Sequence, residues 1–208
     1  MNRINTLFIS GIILFGLFVA VSCRTPGTYF IGVKYSGEPE TSIQGTALIG
    51  MQAFLDKREE ESKNFIGSRI VGKGKKELFL SSQESVADSI TSTFKEFAEK
   101  RGFEVKPISG WDFSPEGMKT VEKGFKYVVG GYIEKLRCDA TKRVGRTNMV
   151  LEIKIITYVG NVETGSVTKR PFEIKLKRTD PAFGAPSLER FVNEALAKII
   201  TNTLADLN

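Results

Sequence analysis

The chain has 208 residues, of which 41% are hydrophobic and 26% are charged, a balance that excludes a disordered chain or a polytopic membrane protein. Its formal net charge of +6 could favour anionic surfaces, but it is more typical of lysines spread over a solvated surface. Histidine is absent, which excludes Ser-His-Asp and Cys-His catalysis and zinc sites with histidine ligands.

The first segment has the three-part layout of a secretory signal. Arg3 gives a positive head, residues 7–21 are apolar, and a small residue, Ser22, precedes Cys23. A retained signal anchor is the alternative, because an apolar run of this length lies near the lower limit for a membrane span. The stretch "AVSC" at residues 20–23 resembles the bacterial lipobox. That resemblance implies cleavage before Cys23 and attachment of a lipid to its thiol.

A lipid on Cys23 would anchor the protein to a membrane. Residue 24 is Arg rather than the Asp that retains many such lipoproteins in the inner membrane, so we expect the outer membrane, facing the periplasm. The short tether after Cys23 reaches at most about 17 Å, which keeps the folded part close to the membrane. The predicted organisation is therefore a cleaved signal at residues 1–22, a lipidated cysteine and tether at 23–27, and a single α+β domain at 28–208.

The second cysteine, Cys138, has no intramolecular partner if Cys23 is lipidated. We predict that it is a buried strand residue that acts as a small hydrophobic side chain. Dimerisation through Cys138 is the alternative.

Strands dominate the first part of the predicted domain. Residues 28–39 read as an extended segment that ends at Gly37 and Pro39, and residues 46–56 read as a buried strand because both of its faces are apolar. The charged run at residues 56–61 is predicted to form the turn that follows. "KGKKE", at residues 73–77, is predicted to be an exposed loop or hairpin.

The first predicted helix lies within residues 81–102. Ser81 and Glu84 have capping-box spacing, and Gly102 stands where a left-handed residue ends many helices. The apolar stripe of this helix recurs at intervals of three and four, at Val86, Ile90, Phe94 and Phe97. A strand, "FEVKPI", is predicted next, and then a short helix with Ser114 as its cap and Pro115 at its first position.

Three strands are predicted at residues 126–138, 147–159 and 166–178. Gly130-Gly131 in the first strand indicates a bulge or a close backbone contact. The turn at residues 160–166 joins the other two as a hairpin, and a register that places Glu152 by Lys175 and Lys154 by Glu173 would match their charges.

The last helix is predicted to start with Ser187 as its cap and to run to Leu207. Its apolar stripe is wide enough for a helix that lies across a sheet. Insertion into a membrane is the alternative, but the polar face lacks the basic enrichment of interfacial helices. The order of elements predicts an α+β fold: a two-layer sandwich with a mostly antiparallel sheet and two main helices packed on one face.

The chain resembles the YajG-type bacterial lipoproteins and, more loosely, envelope lipoproteins that assist transport or outer-membrane assembly. The motifs that carry the resemblance are the lipobox ending at Cys23, "FLDKRE" with Asp56 and Arg58, "FIG" at residues 65–67, "FAEKRGFEVKP", "YVVGGYIEKL", "VETGSV" and the final helix. The resemblance implies an envelope location and this architecture. It implies no reaction, since the family has no settled biochemical activity.

No catalytic residue, metal ligand or cofactor site is predicted. Asp56 and Arg58 are interpreted as an ion pair that pins a turn, and Glu59 to Glu61 as a solvated charge run rather than a cation site. "GKGKKE" lacks the spacing of a phosphate-binding loop.

Two features are candidate contacts. The first is a group of four basic residues that is expected to gather at one hairpin end. There they could touch acidic headgroups or lipopolysaccharide phosphates, and an ordinary solvated turn is the alternative. They are Arg137, Lys142, Arg143 and Arg146. Trp111 could anchor a partner if it is exposed, or pack as a lid over the core.

These features favour a non-enzymatic interaction or accessory module of the cell envelope. Its partner would be an envelope protein or a cell-wall component, and no nucleic acid is expected. The alternative is a carrier that holds a small ligand or lipid in a cavity between the sheet and the helices. Large Phe and Ile side chains on the helix stripes indicate a filled core, which favours the interaction module.

Overall fold

The computed structural model describes residues 27–37, 47–60, 62–205 and 207. The predicted signal at residues 1–22, the lipid attachment site at Cys23 and residues 24–26 of the tether lie outside the described residues. Within the described part the chain forms nine strands and two α-helices, α1 (Val86–Lys100) and α2 (Ala185–Leu204). The strands are β1 (Thr28–Ile31), β2 (Leu48–Gln52), β3 (Leu55–Asp56), β4 (Phe65–Ile70), β5 (Lys76–Ser81), β6 (Glu104–Ile108), β7 (Tyr127–Arg143), β8 (Arg146–Asn161) and β9 (Ser166–Asp180).

The sheet is organised around β7. On one side β7 pairs antiparallel with β8, and β8 pairs antiparallel with β9. On its other side β7 pairs in turn with β2, β3 and β4, all parallel. The sheet then continues from β4 through β5 to β1 at one end of β7, and from β2 to β6 at the other.

The predicted α+β class is confirmed, but the sheet is mixed rather than mostly antiparallel. The meander from β7 to β9 is antiparallel as expected, whereas β1–β5 and β2–β6 are parallel pairs. Parallel neighbours require long crossover connections and leave no turn signal between them in the sequence. Local patterns therefore identified the meander and not the parallel half.

Both helices pack on one face of the sheet, which we call the helix face. α1 buries the stripe predicted for it, and α2 buries Leu188, Phe191, Val192 and Leu196 among others. These side chains form one core with alternate residues of β7 and β8, including Val129, Ile133, Leu151 and Ile153. The opposite face of the sheet is called the outer face. Neither described helix is both long and apolar enough to span a bilayer.

A smaller core lies on the outer face at one end of the sheet. The segment from residue 109 to 125 folds back over the sheet there, and its apolar side chains pack on Val128 of β7. They are Trp111, Phe113, Met118 and Phe125. This segment contains a short 3₁₀ turn at Gly117–Thr120 where a short helix from Ser114 was predicted. Ser114 still accepts a hydrogen bond from the Gly117 amide, at 2.9 Å.

The helix caps differ from the predicted ones. The cap of α1 is Ser85, whose hydroxyl accepts from the Asp88 amide at 3.0 Å, whereas Ser81 is the last residue of β5. α2 begins at Ala185 with Gly184 as its cap, and the Ser187 hydroxyl bonds Asp180 instead. The first prediction was wrong because Ser81, Ser82 and Ser85 all lie near the start of α1, and the second because α2 begins two residues before Ser187. Gly102 has a φ of +97°, as predicted.

Two predicted strand features also change in detail. The single strand expected at residues 46–56 is divided into β2 and β3 by Ala53 and Phe54. The hairpin alternative for "KGKKE" is confirmed, because these residues form the tip between β4 and β5 and the start of β5; the two strands themselves were not predicted. The register of β8 and β9 is confirmed, with Glu152 opposite Lys175 and Lys154 opposite Glu173.

Candidate functional site

An open groove of about 790 Å³ crosses the outer face of β7. Its walls come from the outward side chains of β7 and β8 and from the loop after β3. Most of the lining is charged, including Lys57, Glu59, Glu60, Lys135, Arg137 and Glu152. A β-bulge in β7 between Ile133 and Lys135 interrupts the pairing with β8 beside the groove. Bulges of this kind re-aim neighbouring side chains.

The buried ion pair of Asp56 and Arg58 lies beneath one wall of the groove. The Arg58 Nε and one terminal nitrogen each bond a separate oxygen of Asp56 at 2.9 Å. The guanidinium also donates to the carbonyls of Phe65 at 2.6 Å and Lys63 at 2.8 Å. The interpretation of this pair as a pin for the turn is confirmed, because one side chain joins both ends of the loop between β3 and β4.

Burial by itself would raise the pKa of Asp56. The hydrogen bonds and the positive charge of Arg58 outweigh that effect, so the pKa of Asp56 lies below its ordinary value. Asp56 is therefore an ionised anchor for Arg58, and its lowered pKa makes it a poor proton donor.

Glu152 joins three strands at the edge of the groove. Its carboxylate bonds Lys135 of β7 on one side and Lys175 of β9 on the other, the second at 2.6 Å. These two hydrogen bonds lower the pKa of Glu152 to about 2. The pairs fix the positions of charged groups that would otherwise move freely on an open face.

The structure separates Arg137 from the other three predicted basic residues. Arg137 lies in the groove, where it bonds Glu60 at 3.0 Å and Asp139 at 2.8 Å. The expectation of one four-residue cluster was wrong because Arg137 precedes the hairpin turn by several residues of extended strand, at about 3.3 Å each. Glu60, which belongs to the predicted solvated charge run from Glu59 to Glu61, is therefore paired with Arg137. Glu61 lies outside the described residues.

The other three basic residues do share one hairpin end. Lys142, Arg143 and Arg146 flank the turn Val144-Gly145, and all three are exposed. They line a shallow pocket of about 360 Å³, whose inner wall includes Arg69. The Arg69 guanidinium pairs with Glu77 at 2.6 Å and stacks on the Phe183 ring at 4.0 Å.

Trp111 is buried, with 2% of its surface exposed. Its indole nitrogen donates to the Ser114 carbonyl at 3.1 Å, and its ring packs edge-on against Phe113 at 5.1 Å. The structure therefore supports the lid alternative and removes Trp111 from the candidate contact surface.

Cys138 is fully buried on β7, as predicted. Burial, with a smaller effect of the Asp139 charge, raises the pKa of its thiol to about 12. Such a thiol is neither a nucleophile nor, in this conformation, accessible for a bridge to a second chain. Among the described residues there is also no group of three or more side chains that could hold a metal ion.

The groove itself was not predicted. Its signal in the sequence is the alternation of charge at outward positions of β7 and β8, such as Glu134, Lys135, Arg137, Asp139 and Glu152. That alternation is also typical of any solvated sheet face, so only the three-dimensional path of the loop after β3 distinguishes a groove from a flat surface.

Comparison with known proteins identifies the fold. No family model and no curated protein matches the chain. The structure of protein XCC0632 from Xanthomonas campestris, a DUF330 protein, is similar with a TM-score of 0.53 at 11% identity, over 85% of this chain and 91% of that one. At that identity the likeness shows a shared fold alone.

Two further solved structures have lower similarity. An uncharacterised protein has a TM-score of 0.49 at 11% identity, over 89% of this chain and 100% of that one. Lipoprotein GNA1162 from Neisseria meningitidis has a TM-score of 0.41 at 9% identity, over 74% of this chain and 97% of that one. The resemblance to YajG-type lipoproteins is not confirmed by these comparisons.

Proposed function

We propose that this protein is a lipid-anchored accessory module of the bacterial cell envelope that binds another envelope component without catalysis. In this proposal Cys23 carries the lipid, and the folded part faces the periplasm from the outer membrane. The observation that carries the binding role is the charged groove on the outer face, which is open and is built from paired side chains.

The groove suits a polar partner rather than an apolar one. Its positive and negative groups alternate along β7 and the loop after β3, and ion pairs such as Arg137 with Glu60 hold them in place. A complementary pattern of charge on a partner would give specificity and a fast encounter more than a large gain in affinity. A protein segment or a cell-wall component with both signs of charge fits these walls.

The alternative role, a carrier for a small ligand, would need space between the sheet and the helices. That layer is filled by large buried side chains, including Phe94 and Phe97 of α1 and Ile199 of α2. Packing at the density of a protein interior leaves such a layer to side chains rather than to a ligand. The filled layer supports the interaction module over the carrier.

The anchor has its own test. Cells that express the protein are labelled with radioactive palmitate, and label is expected on the natural chain and not on a Cys23→Ser variant. Label retained on the variant would contradict the assignment of Cys23 as the attachment point.

The binding role is tested by crosslinking in intact cells. A photo-reactive amino acid replaces Glu59, which is exposed at the groove, and in a second variant it replaces Lys198, which is exposed on α2. We expect a specific protein or peptidoglycan adduct from position 59 and none from position 198. Equal adducts from both positions would refute the groove as the contact. Co-purified lipid without any adduct would favour the carrier.

A further inference from the structure

The chain enters the sheet at the same end as two hairpin tips. The Gly27 carbonyl accepts a hydrogen bond from the Leu78 amide at 3.2 Å, which places the start of β1 beside the start of β5. The tip between β4 and β5 lies at that end, and so does the tip between β7 and β8, because Ile70 pairs with both Lys76 and Thr141. Any anchor that precedes Gly27 must therefore approach this end of the molecule.

This end of the sheet is strongly basic. Six exposed basic residues occupy the two tips, and among the described residues none of them has an ion-pair partner. They are Lys73, Lys75, Lys76, Lys142, Arg143 and Arg146, which we call the basic end. The nearby acids are already engaged, since Glu77 pairs with Arg69, and Asp180 accepts from the Ala182 amide and bonds Ser187.

The opposite end of the sheet carries no such excess. There the exposed Lys119 and Lys123 alternate with the exposed Glu116 and Glu122. The difference between the ends gives the molecule a direction: a negatively charged surface would attract one end and not the other.

Exposed apolar side chains accompany the basic end. Val144, at the tip between β7 and β8, is fully exposed, and Ile70 at the end of β4 is 45% exposed. Leu78 and Phe30 continue the apolar surface along the outer face, and Phe30 is 62% exposed. Apolar side chains among lysines and arginines are the combination with which peripheral proteins enter the headgroup layer of a bilayer.

We propose that the basic end docks on the anionic phospholipid surface of the membrane that holds the anchor, with Val144 at the headgroup level. This inference rests on the proposed function, because the lipid at Cys23 would hold the basic end within reach of the surface. Charge complementarity and the entry point of the chain both select a bilayer as the occupant. In the docked orientation the long strands stand roughly perpendicular to the membrane. The six residues that separate Arg137 from Arg143 then place the groove about 20 Å above the headgroups.

The test uses the full-length protein purified from cell membranes and reconstituted into vesicles. A Val144→Cys variant carries a fluorescent probe, and lipid-linked quenchers report its approach to the bilayer. Phosphatidylglycerol vesicles are compared with phosphatidylcholine vesicles. Each basic residue near an anionic surface contributes about fivefold to the docking equilibrium constant, so Lys142→Glu with Arg143→Glu should lower that constant more than about twentyfold.

The matched control is Lys119→Glu with Lys123→Glu, which changes the charge equally at the opposite end. We expect strong quenching in phosphatidylglycerol for the natural sequence and the control, and quenching at the phosphatidylcholine level for the variant of the basic end. Circular dichroism melting checks that both double variants fold. Equal quenching in both lipids, or an equal loss in the control, would overturn the proposal.

The same samples distinguish a failure of the docking proposal from a failure of the lipid assignment at Cys23. Mass spectrometry reports whether Cys23 carries a lipid; where it does not, the probe is placed in a Cys23→Ser background. A free Cys23 with charge-dependent quenching would refute the anchor and leave docking in place. A lipidated Cys23 with charge-independent quenching would refute docking alone.

Discussion

The guanidinium of Arg58 shows how one residue can define a loop. It bonds a carboxylate two residues before it and carbonyls five and seven residues after it, so the path of the chain between β3 and β4 depends on a single side chain. The spacing of Asp56 and Arg58 in the sequence predicted their pairing. The two carbonyls could not be predicted, because a backbone group has no signature in the sequence.

We expect Arg58→Ala to lower the free energy of unfolding by about 3–5 kcal/mol, because it leaves the buried carboxylate of Asp56 without its positively charged partner. Arg137→Ala is the matched control: it removes two ion pairs from a half-exposed arginine and should cost less than about 1 kcal/mol. Urea denaturation of both variants measures the difference. An Arg58→Ala loss no larger than that of Arg137→Ala would contradict the pinning role.

At the scale of elements, periodicity was the reliable signal. The stripes of α1 and α2 were predicted from spacing, and the register of β8 with β9 was predicted from the matching of opposite charges on one face. The strands β4 and β5 were not predicted, although the tip between them was expected to be an exposed loop or hairpin, because both strands are short. The buried position of Trp111 was left open because loops that cover a core have no period.

Gly131 of β7 allows the neighbouring strand β8 and the Phe54 ring to approach the backbone closely. A Cβ on Gly131 would lie 2.1 Å from the Ile156 carbonyl oxygen of β8 and 2.9 Å from the Phe54 ring. The close contact predicted there is thus confirmed, whereas the bulge lies after Ile133. The Ile156 carbonyl belongs to the hydrogen-bonded pairing of β7 with β8, so it cannot move away from a new Cβ without breaking that pairing.

Gly131→Ala should therefore lower the free energy of unfolding by about 2–3 kcal/mol or prevent folding. Gly72→Ala, at the tip between β4 and β5, has no atom within 4 Å of the new Cβ and should change it by less than about 0.5 kcal/mol. Thermal melting of the two variants makes the comparison. Equal melting temperatures would show that β7 and β8 can move apart without cost.

At the scale of the whole molecule, the two faces and two ends of the sheet have separate characters. The helix face is apolar and filled, the outer face carries the groove, and one end concentrates unpaired positive charge. Composition predicted none of this division, because a net charge of +6 is compatible with an even distribution. The division appears only when distant segments, such as the two hairpin tips, meet at one end.

The groove should make the stability of the molecule depend on acid pH. The pKa of Glu152 falls from an ordinary value of 4.5 to about 2 on folding, through its hydrogen bonds to Lys135 and Lys175. Its contribution to stability is therefore complete above pH 4.5 and is lost as the pH falls towards 2.

The natural protein should thus lose more stability than Glu152→Gln between about pH 6 and about pH 3, measured by urea denaturation at low salt. Glu163→Gln, in the turn between β8 and β9, is the control and should follow the natural protein. Parallel pH profiles for the natural protein and Glu152→Gln would show that the two lysine pairs do not survive in solution.

The start and the finish of the described chain are joined to one another. The Gly32 amide donates to Glu189 at 3.2 Å, and the Asn193 side chain donates to the Gly32 carbonyl at 2.9 Å and accepts from the Lys34 amide at 3.1 Å. During synthesis β1 emerges long before α2, so this contact cannot form until α2 has also been made. Such non-local closure slows folding, so the newly made polypeptide stays open at this contact until α2 has been synthesised.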